Sequence, residues 1–373
     1  MKKYKIGIIG YGGFGSFLHH WWDKMENAEV AAIAYLEHRP KEGTGCRIYS
    51  DWLELVADPS IDIVSIVTPP GLHVEMACAA MRAGKHVLLE KPAAITAEGA
   101  QELLDVARET GRSITVDHMI RYNPIIRSLI EISRTGALGK LRHAVVSNYA
   151  QDESLPPSHW FWDEEQSGGI QVEHGVHFFD IINALGEQRF VQVSGVWDKR
   201  NELQRDRVGA QVLYDGGLIA SYYHAFSGPG FFERTTISLA YDRARVEIQG
   251  WMPLKGKLEA LVDPNTKAVF EQIPGWRITH SQPIGSAADN SRPEGWGAAV
   301  PAPEVHLQGG SFEADELLEG SFEIAQDKGT VYGRCVQAIL SDLIENVKNP
   351  EHKMAVTLDD AVEALRTALL ATD

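Results

Sequence analysis

Cysteine is scarce: Cys46, Cys78 and Cys335 are the only three in 373 residues, widely spaced and in no CxxC pair. That excludes a disulfide framework and a structural zinc site, and it fits a reducing compartment, so a cytoplasmic chain is expected. Long apolar runs are lacking as well. The longest are of strand length, far short of the ~20 residues that span a bilayer. The basic start Met1-Lys2-Lys3 leads into an apolar stretch that breaks at Gly10-Tyr11-Gly12-Gly13, unlike a signal peptide. Basic residues are in deficit, 35 Lys and Arg against 51 Asp and Glu, for a formal net charge of -16. Nucleic acid and anionic membrane both require a Lys/Arg excess on some face, so neither is an expected partner.

What remains is a globular composition, 44% hydrophobic and 23% charged, in a chain long enough for two to three domains. The first third alternates apolar strand-like runs with helical periodicity. Strands are expected over 5–10, 29–36, 61–68, 86–89 and 113–117, with helices over 13–25, 51–57, 73–83 and 97–110. Near-continuous apolar strands separated by helices imply a parallel sheet covered on both faces. After residue 122 the pattern changes. Helices are expected after Pro124 and over 172–185, then β-rich segments at 191–196, 210–214, 218–223, 235–241, 245–249 and 258–262. Tyr214-Asp215-Gly216-Gly217 reads as a hairpin turn. Residues 274–311, rich in Gly, Pro, Ala and Ser and carrying Trp276 and Trp296, read as an extended loop or insertion. Two helices close the chain at 331–347 and 358–370. The expected architecture is an α/β domain with a parallel sheet over 1–122, and an α+β domain with a mainly antiparallel sheet over 123–373. The last helix is available to pack back on the first domain.

Gly10-Tyr11-Gly12-Gly13-Phe14-Gly15 is a G-x-G-x-x-G placed directly after a strand and opening a helix. The first glycine permits the tight turn, the second lets the backbone approach a pyrophosphate, and the third brings helix and strand close. The helix N-terminus then offers unpaired N–H groups to the phosphates. At the end of the second strand Tyr35 stands where an acid would hold the adenosine ribose. Glu37 follows two residues later and favours NAD, while His38 and Arg39 would suit the 2′-phosphate of NADP. Both cofactors stay open.

Glu90-Lys91-Pro92 follows the fourth expected strand, at the carboxyl edge where open α/β sheets place ligands. Farther on, Glu173, His177 and Asp180 stand at i, i+4 and a further i+3, which puts them on one helix face. A carboxylate one turn from an imidazole suits proton transfer with a substrate hydroxyl. His174 and His177 lack the H-E-x-x-H order, and no third ligand is indicated, so no metal is expected. His159, His224, His280 and His306 receive no role.

Together these residues resemble the Gfo/Idh/MocA oxidoreductase family over nearly the whole chain. Thr68-Pro69-Pro70-Gly71-Leu72-His73 matches its T-P-x-x-x-H turn, and Ala83 to Pro92 its A-G-K-H-V-x-x-E-K-P signature. Arg121-Tyr122-Asn123-Pro124 matches R-[FY]-x-P, and Gly168 to Asp180 matches G-G-x-x-x-[DE]-x-G-x-H-x-x-D. The resemblance implies that the two domains are a Rossmann domain and a domain with a large open sheet. It also implies NAD(P)-dependent oxidation of a secondary hydroxyl on a sugar or cyclitol. Lys91 would hydrogen-bond the reacting oxygen and His177 would take or give its proton. Glu173 occupies a place usually held by Asp, its extra methylene shifting the carboxylate, and Asp180 is either structural or reactive. Thr68, Pro69, His73, Glu90 and Lys91 join the glycine turn, Tyr35 and Glu37 as expected cofactor contacts. Arg121, Trp160 and Trp162 join Lys91, Glu173 and His177 as expected substrate contacts. A homo-oligomer, dimer or tetramer, is implied. Two rival functions are an NAD-retaining glycosidase that works by transient oxidation and elimination, and a non-catalytic dinucleotide-binding regulator.

Overall fold

The computed structural model describes residues 2–35, 45–284, 304–307 and 310–372. The first sheet is built from β1 (Tyr4–Ile9), β2 (Ala28–Ala34), β3 (Arg47–Tyr49), β4 (Ile63–Ile66), β5 (His86–Leu89) and β6 (Ile114–Val116). All six are parallel, in the order β3-β2-β1-β4-β5-β6. The crossovers run through α1 (Gly13–Trp22), α2 (Trp52–Ala57), α3 (His73–Arg82) and α4 (Ala97–Thr110). Ile6, Ile8, Ile9, Ile63, Val64 and Ile66 are fully buried, as expected of strands covered on both faces. Local chemistry marks the helix starts. Asp51 accepts from Leu53 N to cap α2, and Thr96 accepts from Gly99 N to cap α4, each filling a donor left open in the first turn. The sequence reading lacked β3, a three-residue edge strand too short for a periodic signal.

The second sheet has nine strands in the order β14-β17-β13-β12-β11-β7-β10-β9-β8. α5 (Pro124–Thr135) leads into β7 (Leu141–Gln151), and α6 (Glu164–Ser167) is followed by a π-helical turn over Gln171–Gly175 that runs directly into α7 (Val176–Gly186). The antiparallel run is then β8 (Phe190–Asp198), β9 (Arg207–Tyr214), β10 (Ile219–Gly228), β11 (Arg234–Tyr241), β12 (Ala244–Gln249) and β13 (Lys255–Val262). After α8 (Pro264–Val269) come β14 (Arg277–Pro283), a hairpin of β15 (Glu304–Leu307) and β16 (Gly310–Glu313), and β17 (Glu316–Glu323). Only β7 and β10 pair in parallel. The turn at Asp215–Gly217 joins β9 to β10, as read from the sequence.

Three expectations need correction here. β7 was not expected, although its buried Leu141, Ala144, Val146 and Asn148 alternate along the strand and place it centrally. The segment 274–311 is not simply a loop: β14 pairs with β17 as an edge strand, and the half-buried Trp276 packs on Phe270. Trp296 lies outside the described residues. The helix expected over 172–185 begins as a π turn, a form that collects at functional sites.

The chain closes with α9 (Lys328–Lys348) and α10 (Leu358–Thr372). α9 packs on α1: Trp22, fully buried, donates from Nε1 to Val336 O at 2.9 Å, and Gln337 Nε2 donates to Trp21 O at 2.7 Å. α10 packs chiefly on α7 and β8 and also touches α4 and β6. Among the described residues no helix is long and apolar enough to cross a membrane. Because Trp22 fills the joint between the first and last thirds of the chain, Trp22→Ala should cost about 3–5 kcal/mol of unfolding free energy. A urea titration with fluorescence detection measures this, and a loss under 1 kcal/mol would contradict the packing described.

Candidate active site

Between β1 and β4 the strand order reverses, and an open α/β sheet presents its ligand crevice there. The turn after β1 enters this crevice. Gly10 adopts φ +93°, and a Cβ on it would stand 2.3 Å from Val67 O; one on Gly15 would stand 2.2 Å from Gly10 O. Both glycines are therefore required by the protein's own packing. Gly12 and Gly13 are different, since a Cβ on either would meet nothing within 4 Å. The room left in front of them belongs to no protein atom. No side chain caps α1 at this end and no acid occupies its first turn, so its N–H groups and positive dipole end remain available to an anion. A dinucleotide pyrophosphate fits this cradle.

The crevice continues into a cavity of about 610 Å³ lined by Gly12, Gly13, Phe14, Gly15, Thr68, Pro69, Glu90, Lys91, Glu173 and His177. Sequence-expected residues from both halves of the chain thus meet at one wall. Lys91, directly after β5, donates from Nζ to Glu173 O at 2.9 Å and forms an ion pair with the Glu173 carboxylate. The Lys91–Pro92 peptide is cis. Glu173 sits in the π turn, and His177 in the first turn of α7. Burial, reinforced by the Lys91 charge and the neighbouring His118 and His174, holds the His177 imidazole well below its usual pKa, so the ring is a neutral proton acceptor. Glu90 and Asp117 lie together beneath this wall. Neither Glu90 Oε1 nor either Asp117 oxygen has a donor when both acids are ionised. Burial raises both pKa values, Glu90's furthest because Asp117 adds to it, and a proton shared between them supplies the missing hydrogen bond.

Several expected contacts lie elsewhere. Arg121 is buried, and its guanidinium makes a bidentate pair with Asp180 at 2.7 and 2.6 Å while Nη1 donates to Ala355 O at 3.0 Å. With its donors so used it does not line the cavity, and Asp180 is occupied by it rather than turned to the wall with Glu173 and His177. His73 is fully buried, its ring nitrogens 2.7 Å from Pro92 O and 2.9 Å from Thr68 O. It fastens the two cavity loops together instead of lining the crevice. Trp162 is buried against Phe161 and donates to Leu155 O at 3.1 Å, whereas Trp160 does line the cavity. Tyr35 follows β2 and is not on the cavity wall; Glu37, His38 and Arg39 lie outside the described residues.

The cavity also takes residues with no sequence-expected role, among them Asn148, His159, His174, Phe226, Trp251 and Tyr332. The Asn148 amide is oriented by Nδ2 donating to Thr235 Oγ1 at 2.7 Å, so its Oδ1 accepts a hydrogen bond from His174 Nε2 at 3.1 Å. Only the alternation of β7 could have hinted at Asn148, and nothing local marks Tyr332. Among the described residues no three His, Cys, Asp or Glu side chains converge as metal ligands. A larger cleft of about 880 Å³ lies at the far end of α5 and α7, where Arg134 pairs with Glu187 and Arg142 with Asp242. Its charges answer one another, and the convergent chemistry is in the smaller cavity.

Comparison with known proteins agrees with this geometry. Residues 4–118 match the model of an oxidoreductase family with an NAD-binding Rossmann fold, and 126–250 match the GFO/IDH/MocA C-terminal domain. An uncharacterized oxidoreductase from Synechocystis is 35% identical over 292 residues, 75% of this chain and 76% of that protein. The chain belongs to the Gfo/Idh/MocA oxidoreductase family. Within that family it is also 32% identical over 180 residues to the 1,5-anhydro-D-fructose reductase of Ensifer adhaerens, covering 47% of this chain and 53% of that one. The match spans about half the length of that enzyme and of an uncharacterized oxidoreductase from Streptococcus pneumoniae. The crystal structure of myo-inositol 2-dehydrogenase from Lactobacillus plantarum superposes with TM-score 0.72 at 19% identity, over 100% of this chain and 96% of that one. This family member therefore shares its two-domain fold and carries a nicotinamide dinucleotide domain.

Two measurements follow from the buried charges. Arg121→Leu leaves Asp180 buried without its partner and should cost about 3–5 kcal/mol of stability, while the dinucleotide Kd stays within twofold by fluorescence titration. Burial, with Lys91 beside it, lowers His174 to about 3, against ~6.5 in an unfolded chain. Below pH 6.5 the unfolded chain therefore binds a proton that the native state refuses, and stability falls as pH falls from 6.5 towards 3. The slope is up to about 1.4 kcal/mol per pH unit for this residue. Chemical denaturation at pH 6.5 and 5.0 should show a shallower loss in His174→Gln than in the native sequence.

Proposed function

We propose that this protein is an NAD(P)-dependent dehydrogenase acting on a secondary hydroxyl of a sugar, sugar derivative or cyclitol. The observation that carries the reading is the meeting of Lys91 and His177, from separate domains, on one cavity wall beside the glycine turn. Gly10 to Gly15, Thr68, Pro69 and Glu90 would hold the dinucleotide, whose nicotinamide supplies the hydride acceptor or donor when bound. Lys91 hydrogen-bonds the reacting oxygen and stabilises charge developing on it, since an ammonium fixed by Glu173 needs no reorganisation as that charge appears. His177, neutral and buried, takes the hydroxyl proton in oxidation and returns it in reduction. Trp160 offers a flat apolar face to a sugar ring. The family relatives named for inositol and anhydrofructose chemistry support a polyhydroxylated substrate.

The reading includes a cytoplasmic setting, supported by three cysteines in 373 residues. It also includes a homo-oligomer formed through the open face of the nine-stranded sheet. Tyr149, Val196, Leu213 and Ile219 are exposed there, more apolar surface than an isolated sheet face needs.

A panel of sugars, inositols and glycosides, each with NAD and with NADP, followed by nicotinamide absorbance, tests the assignment. Lys91→Ala and His177→Ala should each lower kcat by about 10²–10⁴-fold with the dinucleotide Kd unchanged. Near-native rates in both variants would remove the catalytic roles. Aglycone release with no net cofactor change would move the protein to the glycosidase class.

A further inference from the structure

A proton taken by His177 must leave it before the next turnover, and the structure restricts the way out. His177 faces the cavity and the substrate on one side. On the other, its Nδ1 is buried and has no protein partner. A catalytic imidazole is usually held at that nitrogen by a carboxylate or a carbonyl. Here the nearby carboxylates are occupied: Glu173 by Lys91, and Asp180 by both nitrogens of the Arg121 fork.

What meets His177 instead is another histidine. His118, in the loop after β6, is 1% exposed, and its ring stands edge-on to His177 with centroids 5.9 Å apart and planes at 88°. Neither His118 nitrogen has a protein partner. Two buried imidazoles side by side with three unpartnered nitrogens violate the usual satisfaction of buried polar groups. An exchangeable proton passed through one buried water resolves this.

We propose that His118 is the second member of a proton relay, receiving at one ring nitrogen the proton that His177 releases from Nδ1. The inference rests on the dehydrogenase reading above. In oxidation the substrate O–H bond breaks and an N–H bond forms at His177 Nε2. The C–H electron pair leaves with the hydride to an oxidised nicotinamide dinucleotide, so the alcohol is oxidised as that dinucleotide is reduced. The Nδ1–H bond of His177 then breaks as an N–H bond forms on His118, whose other nitrogen gives up its proton outward. In reduction every transfer reverses.

The charged groups around His118 set the direction. Lys91, Arg121, Asp180 and Asp360 all act on its charge, and Arg121 gathers the two acids into one cluster. Asp360, at the start of α10, is 38% exposed and stands 3.4 Å from Arg121 Nη1, so that cluster reaches solvent. The lysine disfavours a proton that lingers near the site, and the two carboxylates favour its departure. Burial holds both histidines in the neutral form, which suits transfer by exchange of tautomers rather than storage of charge. His118 is not on the cavity wall, so it acts through His177.

Three variants and two kinds of readout test the relay. With a panel substrate that the native protein oxidises, His118→Phe keeps the ring and removes both nitrogens. It should lower kcat by about 10-fold or more, enlarge the solvent deuterium isotope effect on kcat, and leave KM and the dinucleotide Kd within twofold. In His118→Ala, added imidazole should restore turnover; in His118→Phe, where the space is filled, it should not. His118→Gln serves as the second filled variant if His118→Phe does not fold. The readout that needs no turnover is ¹⁵N NMR of the dinucleotide-bound protein, in which replacing His118 should shift the His177 nitrogen resonances. Native kcat with an unchanged isotope effect overturns the proposal. So does a loss of turnover in His118→Ala that imidazole does not rescue. If no panel substrate is oxidised by the native protein, the dehydrogenase reading fails separately, and unchanged His177 resonances then overturn the relay on their own.

Discussion

The whole site hangs on where the Lys91 ammonium is held. It leaves the carboxyl edge of β5 and crosses to Glu173, donating to both the carbonyl and the carboxylate of that one residue in the π turn. That contact joins the parallel sheet and its glycine turn to the helix that carries His177. A buried or half-buried charge pair of this kind contributes little net stability against well-packed apolar groups. Its value is register. It fixes a cation and an imidazole on one wall, at the height at which the glycine turn opens.

Around that pair, burial does most of the electrostatic tuning. His118, His174, His177 and His224 are enclosed with few charges of opposite sign beside them, so their rings stay neutral. Glu90 and Asp117 are buried against each other, and one of the two retains a proton. The cavity therefore carries less net charge than its list of ionisable residues suggests. The same economy applies to the cofactor. In a chain of net charge -16, the free backbone N–H groups at the uncapped end of α1 offer an anion a place that needs no basic surface.

The sequence made Lys91, Glu173, His177 and the glycine turn legible because each sits in a short motif whose spacing already implies a function. Arg121, His73 and Trp162 sit in the same kind of motif, yet each is held by the protein's own packing. A motif shows that a position is constrained but not by what. Arg121 is constrained by Asp180, His73 by two loop carbonyls, and Trp162 by Phe161 and Leu155, and all three act by holding the wall rather than by forming it. Asn148, Trp251 and Tyr332 were silent because they come from a strand, a turn and a helix spread over nearly two hundred residues. No local pattern ties Tyr332, at the start of α9, to Phe14 in the glycine turn, yet their rings lie 5.8 Å apart.

The sequence by itself determined the parallel sheet and its glycine turn, the switch to an antiparallel second half, and the motifs that carry Lys91 and His177. These follow from periodicity and short-range spacing, which depend on residues a few positions apart. Only the tertiary structure decided which partners those residues take. It gave Asp180 to Arg121, opened the helix start into a π turn, set β7 at the centre of its sheet, and stood His118 against His177. Each of these depends on contacts between residues tens to hundreds of positions apart, and such contacts exist only once the chain has closed on itself.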